Sequence, residues 1–158
     1  MESGDNLEIF SIKETDKFLT EYIELCNDEW GISNKREQTK DYLINKKKKI
    51  LNDDKVISVL GLIDNKRMLG FISLFKYDGD ERCDLSPWYA TMYIKKEYRG
   101  LGYSKLLNDA ILKEALKLGY KRVYLKTDLV NYYEKFGAKY LEQLKNGENL
   151  YYFDVEKD

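Results

Sequence analysis

The residues with the most chemical content lie between 97 and 104, in the run Glu97-Tyr98-Arg99-Gly100-Leu101-Gly102-Tyr103-Ser104. Two glycines let a main chain adopt unusual dihedrals and approach a ligand closely. An amphipathic stretch, Tyr103–Leu118, begins at once. Tyr103, Leu106, Leu107, Ala110, Ile111 and Leu118 recur at helical spacing, and Gly119 stands where a residue after a helix end belongs. The turn therefore sets several unpaired amides at the positive end of a helix, which binds phosphate oxygens without a dedicated cation. Arg99 adds a charged donor. Three familiar phosphate loops do not fit. A Walker loop ends in Gly-Lys-Ser/Thr, but Gly102 is followed by Tyr103. A dinucleotide fingerprint wants a third glycine where Lys105 stands. The catalytic partners of a kinase loop occur nowhere in the chain. What remains is a diphosphate loop of another kind.

The elements that must position this loop are read from the rest of the chain, which has 158 residues, 27 Lys+Arg, 28 Asp+Glu and no histidine, for a net charge of −1. Without histidine there is no Ser-His-Asp triad, Cys-His dyad, histidine-metal site or imidazole switch. A near-zero charge argues against general affinity for nucleic acid. Apolar residues at 43% suffice for a packed core. With a single proline and no linker-like or repeated tract, one domain over residues 1–158 is the economical reading. The polar start, Met1–Asn6, carries no signal-peptide pattern, and no run of 18 apolar residues occurs. Cys26 and Cys83 form no metal or redox spacing. A cytoplasmic protein, with no membrane or nucleic-acid partner, is expected.

Leu7–Lys13 alternates as a strand. Thr15 and Asp16 can cap a helix that runs to Trp30 and stops at Gly31, and Ser33 opens a second, very polar helix to Lys49. The Lys46–Lys49 run is read as a solvated helix end. Val56–Ile63 and Met68–Phe75 form a hairpin around Asp64-Asn65-Lys66. After a polar loop come a strand at Trp88–Ile94, the helix at Tyr103–Leu118, a strand at Arg122–Lys126 and a short helix at Leu129–Phe136 stopped by Gly137. Lys139–Leu144 and Leu150–Val155 pair across Asn146-Gly147. The fold class is mixed α/β, with antiparallel hairpins, one crossover helix and about four helices in all.

At this point the chain resembles a known family. Ile94–Leu107, with Arg99-Gly100-Leu101-Gly102-Tyr103-Ser104 at its centre, looks like the Arg/Gln-x-x-Gly-x-Gly/Ala signature of the GNAT superfamily of N-acetyltransferases. Ser104 stands where Gly or Ala is usual. Asn131-Tyr132-Tyr133-Glu134-Lys135-Phe136-Gly137-Ala138 is similar to the family's Tyr-Glu-Lys-x-Gly-Phe helix, with Ala138 in place of the usual aromatic. Ser86-Pro87-Trp88-Tyr89-Ala90 resembles a Pro-Trp-Leu-Ala strand of a bacterial subgroup. The resemblance implies a mostly antiparallel twisted sheet with a splayed parallel pair. It implies acetyl-CoA as cosubstrate and no metal, with the diphosphate on Arg99, Gly100, Leu101, Gly102, Tyr103 and Ser104. The pantetheine arm would run along Met92, Tyr93 and Ile94, with Asn131 as a further contact. The family often has Asn seven residues before its tyrosine; here Lys126 stands there.

The family tyrosine maps onto Tyr133, whose phenol, with an ordinary pKa near 10, can donate to a departing thiolate. An attacking alkyl ammonium must first lose a proton. Glu29, Glu81 and Asp84 are the candidate carboxylates for that step. The Asp78, Asp80 and Asp84 cluster lacks the spacing of a calcium loop. Trp30, Trp88 and Tyr89 are candidate walls for the acceptor, a small-molecule or peptide amine, and the acidic stretch Asp78–Asp84 could attract its charge. The resemblance also admits a homodimer. The competing readings are a CoA-binding sensing module with the same fold, and an interaction domain with a purely structural glycine turn.

Overall fold

Two long apolar runs close on each other through a tight turn at Asn65-Lys66, where Asn65 takes φ 60°. They form β2 (Val56–Asp64) and β3 (Arg67–Phe75), the central hairpin. Both strands are buried along nearly their whole length, as continuous apolar patterning requires. The computed structural model describes residues 6–13, 15–30, 40–52, 55–79 and 81–156, the side chains of 16, 29, 30 and 40 excepted. The strands β1 (Leu7–Ser11), β4 (Trp88–Ile94), β5 (Arg122–Thr127), β6 (Lys139–Gln143) and β7 (Asn149–Asp154) complete a seven-stranded sheet of order β1-β2-β3-β4-β5-β7-β6. All neighbours are antiparallel except β4 and β5.

Successive residues of β2 point to opposite faces and so serve two cores. Val59 and Ile63 join Met68 and Phe71 under α1 (Asp16–Trp30), whose Phe18, Leu19, Tyr22 and Ile23 are buried with Ile50 of α2 (Lys40–Asn52). Leu60 and Leu62 join the core of α3 (Tyr103–Lys117), which inserts Leu107, Ile111 and Ala115. Full burial of Leu107 or Ile111 stabilises the fold by about 1.5–3 kcal/mol each.

The parallel pair is the part of the sheet that positions a site. β4 and β5 share one ladder pair, Trp88↔Tyr124, beside a Tyr124 N–H to Pro87 carbonyl bond of 3.0 Å. Beyond it the strands part. The cause lies in β4, whose register against β3 shifts between Phe71 and Ser73, while Thr91 takes φ 48°. Positive φ is rare for a β-branched residue, and a bulge of this kind bends its strand. Trp88 anchors the closed end: it is buried with Leu144 and Leu150, and its indole N–H donates to the Leu85 carbonyl at 2.9 Å.

The expected element order holds, with two differences among the described residues. Three α-helices flank the sheet rather than four. In place of a helix at Leu129–Phe136 there is a 3-10 turn at Tyr133–Phe136. Thr127 Oγ1 captures the Leu129 amide at 3.0 Å and Asn131 takes φ 60°, both incompatible with a helix begun there. The second helix is described from Lys40; its expected start at Ser33 and the stop at Gly31 lie outside the described residues. No helix of the described residues is long and apolar enough to cross a membrane.

Candidate active site

The loop ahead of α3 follows from its sequence. A 3-10 turn at Lys96–Tyr98 leads out of β4, and Gly100 and Gly102 take φ 79° and 83°. Gly102 is the N-cap of α3 and offers no side-chain cap bond, so the first amides of the helix are open to an external acceptor. A Cβ at Gly100 or Gly102 would meet no protein atom within 4 Å. The requirement for glycine is therefore one of dihedral, and the space above the loop is free for a ligand. Arg99 is held by its Nε–H, which donates to the Ile94 carbonyl at 2.7 Å, and by its guanidinium over the Tyr93 ring at 5.3 Å. Its outer nitrogens can donate to an anion.

This loop forms one end of a cleft of about 700 Å³. The parted edge of β4 supplies Met92, Tyr93 and Ile94, the loop supplies Arg99, Gly100, Gly102, Tyr103 and Ser104, and the turn before β6 supplies Tyr133. Nine of the expected residues are thus brought to one cleft. Leu101 and Asn131 are not in its lining; Leu101 is 60% exposed and Asn131 is exposed beside its positive φ. The cleft also includes Tyr98, Lys105, Leu129, Tyr132, Lys135 and Phe136, which sequence reasoning missed. Their signal was adjacency to the two motifs.

Tyr133 is held among rings. It lies edge-on to Tyr89 at 5.7 Å and to Tyr132 at 4.8 Å. Burial, followed by the neighbouring Tyr132, pushes its phenol up to about 12. The hydroxyl therefore stays protonated, and available as a donor, throughout the ordinary pH range. Tyr89 fixes the stack from below: its hydroxyl donates to Oδ1 of the fully buried Asn108 at 2.8 Å, and its ring stacks on Phe153 at 5.5 Å.

A second cavity, about 430 Å³, opens between β4 and β5 and shares Met92 and Tyr133 with the first. Its other walls are Asp78, Tyr89, Ala90, Thr91, Leu125, Lys126 and Glu148. Of the three expected acceptor walls, Tyr89 is here. Trp88 is not: it points into the separate core under β6 and β7, which corrects its assignment, since neighbours on a strand face opposite ways. Glu29 and Trp30 lie at the end of α1, and their side chains fall outside those described. Glu81 and Asp84 line neither cavity. Glu81 Oε1 accepts the Lys145 amide at 3.0 Å. Asp84 accepts two bonds from Arg82, at 3.0 and 2.9 Å, and these hold its carboxyl below the usual range. Among the described residues no three Cys, Asp or Glu side chains gather as a metal site.

A sheet parted at its one parallel pair, with an amide-rich helix start at the mouth, defines the fold class of the chain. The sequence profile of the acetyltransferase (GNAT) family matches residues 17–138, and the chain belongs to that family. No curated protein shows significant sequence similarity to the chain. Solved structures share the fold. An N-acetyltransferase from Staphylococcus aureus Mu50 superposes with TM-score 0.72 at 18% identity, covering 96% of this chain and 99% of that one. The PaiA N-acetyltransferase from Thermoplasma acidophilum, in complex with coenzyme A, gives 0.65 at 20% identity over 94% and 98%. A GNAT family N-acetyltransferase from Escherichia coli, in complex with CoA, gives 0.67 at 14% identity over 96% and 82%.

Proposed function

We propose that the protein transfers an acetyl group from acetyl-CoA to a primary amine, by direct attack within a ternary complex. The observation that carries this reading is the meeting, in one cleft, of the open α3 amides, the parted edge of β4 and the Tyr133 phenol. CoA complexes of fold relatives support it. When bound, acetyl-CoA supplies the activated thioester. The amides following Gly102, with Arg99, would hold its diphosphate, as the free space above the glycines allows. The main chain of Met92, Tyr93 and Ile94 would pair with the pantetheine amides as a neighbouring strand does.

Tyr133 would donate a hydrogen bond to the departing sulfur. A free thiol has a pKa near 8.5, well below the phenol's value of about 12. The phenol therefore stabilises the thiolate as a donor and keeps its own proton. The test is calorimetry and thermal shift with acetyl-CoA, followed by thiol release over an amine panel. A ligand at 100 times its Kd stabilises the native state by about 2.7 kcal/mol. No shift with acetyl-CoA, alongside a shift with ATP or dinucleotides, overturns the reading. Binding of acetyl-CoA with no transfer to any amine favours the sensing module.

A further inference from the structure

The cavity between β4 and β5 differs from the larger cleft in holding carboxylates. Three charged side chains from distant segments converge on it: Asp78 from the loop after β3, Lys126 from β5, and Glu148 from the turn before β7. Each placement has a local cause. Gly79 takes φ 86°, and a Cβ there would fall 2.7 Å from Lys126 Nζ. The positive φ favours glycine here, and the missing side chain leaves room for the Lys126 ammonium beside the loop that carries Asp78. Glu148 is set by the β6–β7 turn: Asn146 Nδ2 donates to its Oε1 at 2.8 Å, while the Glu148 amide donates to Asn146 Oδ1 at 2.9 Å. With two carboxylates against one ammonium, the wall is net anionic. Tyr133 also lines the cavity, whereas the hydroxyls of Tyr89 and Thr91 are engaged by Asn108 Oδ1 at 2.8 Å and Ser73 Oγ at 2.6 Å.

Met92 and Tyr133 are common to this cavity and the larger cleft, so a molecule seated here reaches the same tyrosine as one seated there. We infer that this cavity binds the acceptor as a compact, singly charged primary ammonium, that Asp78 removes its proton, and that Glu148 selects for its charge. The inference rests on the acetyl-transfer reading and names its acceptor class and base. The step balances: the ammonium gives one proton to the Asp78 carboxylate, the freed lone pair forms the N–C bond to the acetyl carbon, and the C–S bond breaks with its electron pair on sulfur. The second proton lost by the nitrogen passes to water, and the thiolate takes one from water. Asp78 suits this duty because burial, opposed by Lys126 and reinforced by Glu148, raises its carboxyl above the ordinary aspartate value. Lys126 faces the same space and disfavours a second positive charge on the acceptor.

The experiment uses the full chain with acetyl-CoA and a panel of glycinamide, tyramine, putrescine and an arylamine, which is neutral at pH 7. Wild type is expected to acetylate the compact monocations better than putrescine. Asp78→Asn should lower kcat for the alkylamines about 100-fold and remove the acid limb of the pH profile. Its acetyl-CoA affinity and its rate with the arylamine should be preserved, because no ammonium then needs deprotonating. Glu148→Gln should raise the alkylamine KM several-fold and move the acid limb to lower pH; Lys126→Met should move that limb to higher pH. An Asp78→Asn enzyme with the wild-type profile, or equal losses on alkylamine and arylamine, overturns the assignment. Wild type that acetylates the arylamine but none of the alkylamines overturns the cavity as an ammonium site. Failure to bind acetyl-CoA, or binding with transfer to none of the panel, instead overturns the acetyl-transfer reading itself.

Discussion

The two cavities on either side of Tyr133 are built from different materials. The larger one is built mainly from main chain, with α3 amides, the parted edge of β4 and two glycines at positive φ, and adds aromatic rings and the cations Arg99, Lys105 and Lys135. The smaller one recognises with ionisable side chains, Asp78, Lys126 and Glu148, each on a different segment. A main-chain site is fixed by dihedrals and tolerates changes of side chain around it. A side-chain site depends on individual carboxylates and on the distances that set their charge. Binding a large, invariant cosubstrate suits the first; choosing among amines suits the second.

The comparison can be broken at its strongest point by Gly102→Val. A β-branched residue at φ 83° is strained by about 1–2 kcal/mol, and its side chain enters the space above the loop. Acetyl-CoA affinity should fall about 100-fold or more by calorimetry; retained affinity would show that the diphosphate does not meet this main chain. Next in size is Tyr133→Phe. Turnover should drop about 100-fold with acetyl-CoA affinity within about twofold. Its acid limb should be unchanged, since that limb belongs to the carboxylate side.

Asn108→Ala tests the support beneath both cavities. It leaves the Tyr89 hydroxyl buried without its acceptor, which costs about 1–3 kcal/mol in urea unfolding. A smaller effect is expected on alkaline stability. Tyr133 is neutral in the fold up to about 12, against 10.0 for an ordinary phenol. Its contribution is fully present below pH 10 and is lost as pH rises toward 12. Unfolding free energy should decline across that window, less steeply in Tyr133→Phe. Smallest of all, Asp84→Asn should leave turnover within about twofold, because its carboxylate is held by Arg82 and lines neither cavity.

The two materials also explain what the sequence made readable. A main-chain site needs its glycines and its helix start in one contiguous run, so Arg99–Ser104 could be read directly, as could the strand that feeds it. The charged cavity is assembled by the strand order β4-β5-β7, which brings together residues 78, 126 and 148. No local pattern records that. The sequence singles out Glu81 and Asp84 as candidate bases and passes over Asp78, although all three share one acidic loop. What separates them is the turn at Gly79, the grip of Arg82 on Asp84 and the Lys145 amide on Glu81. Trp88 was misread for another reason. Residue type marks an aromatic as valuable but says nothing of which face of the strand it occupies. The turn at Tyr133–Phe136 was misjudged because a single positive φ at Asn131 outweighs the helix-forming residues after it.

The lone Trp88↔Tyr124 ladder pair has a mechanical consequence. It makes the sheet two plates, β1–β4 and β5–β7, riveted at one point and braced by α3 across the back. A cosubstrate lying in the parted seam would supply the missing rungs. It would turn a hinged pair of plates into one continuous beam, so occupancy should be felt as slowed amide exchange in β5 and β7, strands that line little of the cleft themselves.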